Sequence, residues 1–328
     1  MSASAVPVRV RPKTAYVLAG GGSLGAAQVG MLRALVESGI DADLVVGTSV
    51  GAINAAYFAS DPTRDGIAKL EAVWRGLKRT DILPLGWRGL LGFLRRRDHL
   101  VPSDGLRRLL DLHLPYRNLE DAALPVHVVA TDILSGEAVT LSRGSATQAV
   151  LASSAIPAAF APVEIDGRLL CDGAVASNTP VRAAVACGAR RLIVLPTAPV
   201  RQLQCPPNGA IASALHAITL LTTRQLAAEL NELSGSVECH ILPTAGSLGG
   251  SPFDFSLTSE LLEASYLRTL QWLEDGGMNR GVNPPASRPL RRGNRGAPKE
   301  FALAVAGDDV FSRVTQRFAS AAQPLGAG

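Results

Sequence analysis

Apolar positions in the N-terminal part of the chain switch twice between a strand-like and a helix-like spacing. Tyr16 to Ala19 is a continuous apolar run that ends at Gly20-Gly21-Gly22-Ser23-Leu24-Gly25. The segment after it, Ala26 to Glu37, places Val29, Leu32, Leu35 and Val36 on one helical face. Gly39 then stands where a helix end favours glycine. The same order returns at once: Leu44 to Val46, a turn at Gly47-Thr48-Ser49-Val50-Gly51, and a helix-forming stretch from Gly51 to Ala59. Strand, glycine turn and helix in succession, twice over, predict a parallel sheet with helices on its faces.

Further along, Asp65 to Leu77 and Ser103 to His113 read as helices, the second capped by Ser103. Val126 to Asp132 and Glu137 to Leu141 read as strands around a Ser135-Gly136 turn, and Gln148 to Ser153 as a helix ending before Ile156-Pro157. Val163 to Ile165 and Leu169 to Cys171 flank Asp166-Gly167, a hairpin signal. Asn178-Thr179-Pro180 opens another helix, with proline in its first turn. Arg191 to Leu195 and Val237 to Leu242 are strands, and Ile211 to Leu233 and Leu257 to Asp275 helices. From Gly276 the chain fills with Gly, Pro, Asn and Arg up to Pro298, and Phe301 to Phe318 could form a short terminal helix. The expected organisation is a flexible tail over 1–13, one domain over 14–275 and a flexible tail over 276–328.

Composition narrows the class. Of 328 residues, 47% are hydrophobic and 18% charged, enough to bury a full core. Cys171, Cys187, Cys205 and Cys239 have neither metal-type spacing nor the density of a disulfide framework, which suits packed thiols in a reducing compartment. Met1 to Thr14 carries Arg9, Arg11 and Lys13 without the apolar stretch of a signal peptide, and no apolar run reaches the roughly 18 residues that span a bilayer. A cytoplasmic protein is the expectation. The net charge of +4 is mild, and the few aromatics (5%) are not interleaved with basic clusters, so nucleic acid is not an expected partner.

Candidate chemistry centres on Ser49. Gly-x-Ser-x-Gly between a strand and a helix is the setting of a nucleophile elbow, with Gly47 and Gly51 small because strand and helix approach closely there. A plain βα turn with a capping serine is the bland alternative. Gly20, Gly22 and Gly25 also satisfy the dinucleotide pattern Gly-x-Gly-x-x-Gly. An NAD(P)-dependent oxidoreductase, however, wants an acid at the far end of the second strand. Asp41 and Asp43 precede that strand, and Gly47-Thr48-Ser49 fills the place of the acid. The same glycine run can instead offer main-chain N–H groups at a helix start to an oxyanion formed at Ser49.

A serine needs a proton acceptor. Of the histidines, His99 and His113 lie in helical surroundings, His127 and His240 in strands and His216 in mid-helix, and none follows a strand into a loop. Asp172, directly after a strand and before Gly173-Ala174, is the better-placed base if apolar surroundings raise its pKa. Taken alone it reads as a turn aspartate, as Asp132 and Asp166 do.

Together, Gly20 to Gly25, Gly47-Thr48-Ser49-Val50-Gly51 and Asp172-Gly173-Ala174 resemble, in this order, the three blocks of patatin-like phospholipases. Ala152 to Pro157 and Asn178-Thr179-Pro180 are similar to further segments of that family. The resemblance spans about Ala15 to Asp275. It implies a three-layer α/β/α sandwich with a mostly parallel central sheet, and a Ser–Asp dyad without histidine. Ser49 is then nucleophile and Asp172 base, and the backbone of Gly20, Gly21, Gly22, Ser23 and Gly25 forms the oxyanion hole. Gly47, Gly51, Gly173 and Ala174 support the motif. The implied activity is a serine lipid acyl hydrolase of phospholipase A, lysophospholipase or esterase type, with a lipid partner and no metal or cofactor. Many members carry Arg or Lys where this chain has Leu24. A non-catalytic, membrane-associated regulatory protein of the same fold is the alternative.

Pro84 to Leu100 spaces Trp87, Leu90, Leu91 and Leu94 as one apolar helical face, with Arg88, Arg95, Arg96 and Arg97 beside it. It reads either as a helix docked on the core or as a foot that contacts membrane through Trp87, Phe93, Arg95, Arg96 and Arg97.

Overall fold

The computed structural model describes residues 12–82, 103–197, 210–245 and 254–279. Its N-terminal half holds β1 (Thr14–Leu18), α1 (Ala26–Glu37), β2 (Leu44–Thr48), α2 (Val50–Ser60), α3 (Arg64–Gly76), the one-turn α4 (Arg79–Ile82) and α5 (Asp104–His113). There follow β3 (Val126–Asp132), β4 (Ala138–Leu141), α6 (Ala146–Ser153), β5 (Val163–Ile165), β6 (Arg168–Asp172), the short α7 (Ala174–Ser177) and α8 (Val181–Ala186). β7 (Arg191–Leu195), α9 (Ala210–Leu233), β8 (Glu238–Ile241) and α10 (Thr258–Glu274) complete the order.

β3, β2, β1, β7 and β8 run parallel, while β4, β5 and β6 are antiparallel additions at one side. The pleat sends successive residues to opposite faces, and each face has its own core. Tyr16, Leu18, Val45 and Ile193 pack with apolar residues of α1, α2, α3, α5, α6 and α10. Ala15, Val17, Val46 and Val194 pack with Val181 and Ala184 of α8 and Leu230 of α9. Helices on both faces of a mostly parallel sheet make the expected three layers.

The strands and helices expected within the described residues form there, with a few local differences. The Ser103 hydroxyl makes no capping bond: its backbone lies at φ −76°, ψ 1°, outside the extended region that aims a cap side chain at the first turn. Ser145 does cap, accepting from the Gln148 N–H, and starts α6 a little earlier than the apolar pattern indicates. Asp166 and Gly167 both take positive φ (50° and 73°), as a two-residue hairpin turn requires. Phe301 to Phe318 and all but the first few residues of the C-terminal tail lie outside the described residues, as do Trp87, Phe93 and Arg95 to Arg97.

The register explains how two distant segments meet. Val128 and Val129 of β3 pair with both β2 and β4, so these two strands flank β3 on opposite edges. Ala130 and Thr131 pair with both β4 and β6, which puts β6 on the edge that β2 has just left. β2 and the antiparallel β6 therefore abut end to end along β3. Thr48 lies beside Val129 and Asp172 beside Ala130, the next position.

Candidate active site

Ser49 sits at φ 54°, ψ −124°, between β2 and α2. That conformation is rare for a residue with a side chain and costs on the order of 1–3 kcal/mol. The sharp turn lifts the hydroxyl above the sheet edge and presses strand and helix together. A Cβ at Gly47 would collide with the Gly51 carbonyl, and one at Gly51 with the Leu18 carbonyl. The Gly-x-Ser-x-Gly spacing is thus a packing requirement.

The Ser49 hydroxyl donates to Oδ2 of Asp172 at 2.7 Å. Oδ1 of Asp172 accepts the Ala174 N–H at 2.8 Å, the first residue of α7. Asp172 is only 3% exposed, and burial pushes its pKa from 3.8 up to about 6, against the lowering effect of its bonds from Ser49 and Ala174.

The end of α6 supports both residues. Ser153 accepts the Ser49 N–H on its hydroxyl at 2.8 Å and donates that hydroxyl to the Val129 carbonyl at 2.6 Å. The Asp172 N–H donates to the Ala155 carbonyl and the Gly173 N–H to the Ser153 carbonyl. One short segment therefore braces the Ser49 turn and the Asp172 carboxylate together, which gives Ala152 to Pro157 a physical role. Its register against Ser49 could not be read from spacing, because β3 is the template that aligns them.

The glycine loop lies beside Ser49, since β1 and β2 are parallel neighbours. A Cβ on Gly20 would come within 3.3 Å of the Ser49 Cβ. The N–H of Gly20 is already engaged, donating to the Asn178 carbonyl at 3.0 Å, and the Gly20 carbonyl accepts from Thr197 Oγ1 at 2.7 Å. The start of the loop is thus anchored and the N–H groups that can face Ser49 come after Gly20. Gly22 lines the same cavity as Ser49, Gly25 and Ser23 are buried in the first turn, and Leu24 packs on the core. Asn178 joins the site through its backbone, and Thr48 Oγ1 donates to the neighbouring Ser177 carbonyl.

None of the described histidines is hydrogen-bonded to Ser49. His127 Nδ1 meets Ser142 Oγ at 2.7 Å, and His240 Nε2 meets Glu238 at 2.7 Å on the strand two places beyond β1. His216 lies on α9, His113 lines the cavity described next, and His99 is outside the described residues. Asp43 accepts the Thr14 N–H at the opening of β1, at the opposite sheet edge from the glycine loop, so the acid a dinucleotide site needs is absent from its place among the described residues. No group of three potential metal ligands clusters among those residues either.

Ser49 opens on an apolar cavity of about 90 Å³ between α2, α3 and α5, walled by Ile53, Leu70, Val73, Trp74, Leu106, Leu110 and Phe160 among others. A lining this apolar accepts apolar guests.

A nucleophile-elbow serine bonded to a buried carboxylate, beside a glycine loop on a three-layer sheet, defines the class. A family model described as patatin-like phospholipase matches residues 16–185, and the chain belongs to that family. An NTE family protein of Mycobacterium bovis is 35% identical over 177 residues, covering 52% of this chain and 45% of the relative. Patatin-like phospholipase domain-containing protein 7 of rat is 31% identical over 183 residues, 55% of this chain and 13% of the relative. The chain spans less than half the length of these curated relatives. Among solved structures, human GIVD cytosolic phospholipase A2 in complex with methyl gamma-linolenyl fluorophosphonate shares the fold, with a TM-score of 0.50, 13% identity and coverage of 81% of this chain and 58% of that one.

Proposed function

We propose that this protein hydrolyses carboxyl esters of lipids through an acyl-Ser49 intermediate, with Asp172 as the general base. The observation that carries the proposal is the 2.7 Å bond between Ser49 Oγ and Asp172 Oδ2 at the mouth of an apolar cavity. A pKa near 6 leaves Asp172 ionised at neutral pH yet more basic than an ordinary carboxylate, which suits proton abstraction.

Ser49 Oγ attacks the ester carbonyl carbon while its proton passes to Asp172. The negative charge moves to the carbonyl oxygen, where main-chain N–H groups of Gly21, Gly22 and Ser23 and the N-terminal end of α2 stabilise it. Gly20 is left out because its N–H is spent on Asn178. Collapse expels the alcohol, which takes the proton from Asp172. Water, deprotonated by Asp172, then attacks acyl-Ser49; the acyl–Oγ bond breaks, Ser49 Oγ takes back that proton from Asp172, and the fatty acid leaves. An alcohol in place of water would give transacylation by the same steps. The cavity receives the part of the acyl chain next to the ester, whose transfer from water contributes about 0.8 kcal/mol per methylene.

Lipid approach is supported at the same sheet edge. Leu134 is 90% exposed at the β3–β4 turn, with Ile133 and Leu169 beside it and Val175 on α7. Ile133 lies three positions beyond Ala130, roughly 10 Å above the dyad at about 3.3 Å per residue. A bilayer or micelle resting on these side chains would present its esters to Ser49, with the protein peripheral to the membrane.

The test is a panel of phospholipid, lysophospholipid and simple ester substrates assayed with wild type, Ser49→Ala and Asp172→Asn. Both variants are expected to fold and to lose activity by at least about a thousandfold. Retained activity in Asp172→Asn would remove the dyad. A wild-type protein that neither turns over esters nor reacts with a fluorophosphonate would favour the non-catalytic alternative.

A further inference from the structure

Three buried polar side chains link the wall of the apolar cavity to the far end of the glycine loop. The Trp74 indole N–H donates to Asn54 Oδ1 at 2.8 Å. Asn54 Nδ2 donates to the Gly25 carbonyl at 3.0 Å and to Gln28 Oε1 at 2.9 Å. Gln28 Nε2 donates to the carbonyls of Ala19, just past β1, and Leu195, the end of β7, at 2.8 and 2.9 Å. Asn54 and Gln28 are wholly buried and Trp74 nearly so. An indole N–H can only donate and a peptide carbonyl can only accept, so the direction of every bond in the chain is fixed from both ends. Each side-chain polar atom in it has a partner, which is the condition under which a buried network rigidifies its surroundings.

The loop is therefore held at two points. Thr197 and Asn178 fix Gly20, and Asn54 fixes Gly25. The N–H groups assigned above to the oxyanion stand between these anchors. Trp74 itself lines the cavity in which the acyl chain would lie.

We infer that Asn54 is a positioning residue for the oxyanion loop and that, through Trp74, it makes turnover and not only binding depend on how well the acyl chain fills the cavity. The inference rests on the proposed acyl hydrolase reading. An acyl chain seated against the Trp74 ring holds the indole N–H on Asn54, and Asn54 holds Gly25 where the loop donors meet the developing oxyanion. Binding energy from a part of the substrate remote from the reacting bond is in this way used for orientation at the bond.

The experiment measures kcat and KM separately for p-nitrophenyl esters of increasing acyl length, in wild type, Asn54→Leu and Trp74→Phe, with active enzyme counted by fluorophosphonate titration of Ser49. Wild-type kcat is expected to rise with acyl length. In Asn54→Leu kcat on long esters should fall about 30-fold, toward the loss seen on removing an oxyanion donor, with KM within about twofold. Trp74→Phe keeps an aromatic wall while removing the N–H and part of the ring, a milder change that reports even if Asn54→Leu does not fold. It is expected to lose about three- to tenfold in long-chain kcat and to flatten the dependence on length. The rising limb of the pH profile should stay unmoved in both, because Asp172 is untouched. A kcat per titrated site that keeps the wild-type rise with acyl length in Trp74→Phe, or a wild-type kcat that does not vary with length, overturns the inference while leaving the dyad standing. Absence of any Ser49-dependent turnover in wild type would instead defeat the reading on which it rests.

Discussion

Asp172 sits where its own charge is unwelcome, and this sets two measurable properties. Its folded-state pKa, about 6, lies above the ordinary 3.8, so the folded protein holds a proton that the unfolded chain has released between those values. Its contribution to stability is complete below about pH 4 and is lost as pH rises through about 6; the full difference is about 3 kcal/mol at about 1.4 kcal/mol per unit. Asp172→Asn removes the charge, so at pH 8 chemical denaturation should find the inactive variant more stable than wild type by up to this amount, converging near pH 4. The same pKa should appear as the rising limb of kcat/KM, with an apparent value near 6 and activity growing toward neutral pH. A stability difference that persists unchanged at pH 4 would show that burial does not govern this carboxylate.

At the scale of elements, the sequence carried the strand–turn–helix pairs and their glycines clearly, because close packing leaves a mark on residue type. The collisions that a Cβ would make at Gly47 and Gly51 are with backbone, which cannot yield, so Gly51→Ala is expected to lose about 3 kcal/mol or more by denaturant titration. What spacing could not carry is how β2 and β6 come to abut on β3, since that depends on two separate long-range strand pairings, Thr48 with Val129 and Ala130 with Asp172. Asp172 therefore read as a turn residue until the family blocks were taken together. Gln28 and Asn54 went unnoticed for a related reason: each is a single polar residue inside an apolar helical stretch, a signal that marks a buried network without saying which backbone it serves. The cavity makes a further prediction. Leu109→Trp, on the α5 wall, should displace the end of a long acyl chain. Excluding two methylenes costs about 1.6 kcal/mol, more than tenfold in kcat/KM for the longest esters, with short esters unaffected.

For the whole molecule, the arrangement places Ser49, Asp172, the cavity mouth and the exposed apolar turn at one sheet edge. No helix of the described residues is long and apolar enough to cross a membrane. Under the proposed function the lipid is met from outside the bilayer, which calls for an apolar rim, and Leu134 is the most exposed large apolar residue among those described. Leu134→Glu is expected to lower activity on phosphatidylcholine vesicles by about tenfold, the worth of one buried leucine side chain, while leaving hydrolysis of a water-soluble short-chain ester within twofold. Equal loss on both substrates would assign Leu134 to the fold and not to the interface. The reaction itself is tested most directly by intact-mass spectrometry of enzyme quenched in acid during turnover of an acyl ester. Wild type should gain the mass of one acyl group, mapped to Ser49, and Ser49→Ala should gain none. An acyl group mapped to any other residue, or ester turnover undiminished in Ser49→Ala, would contradict the dyad outright.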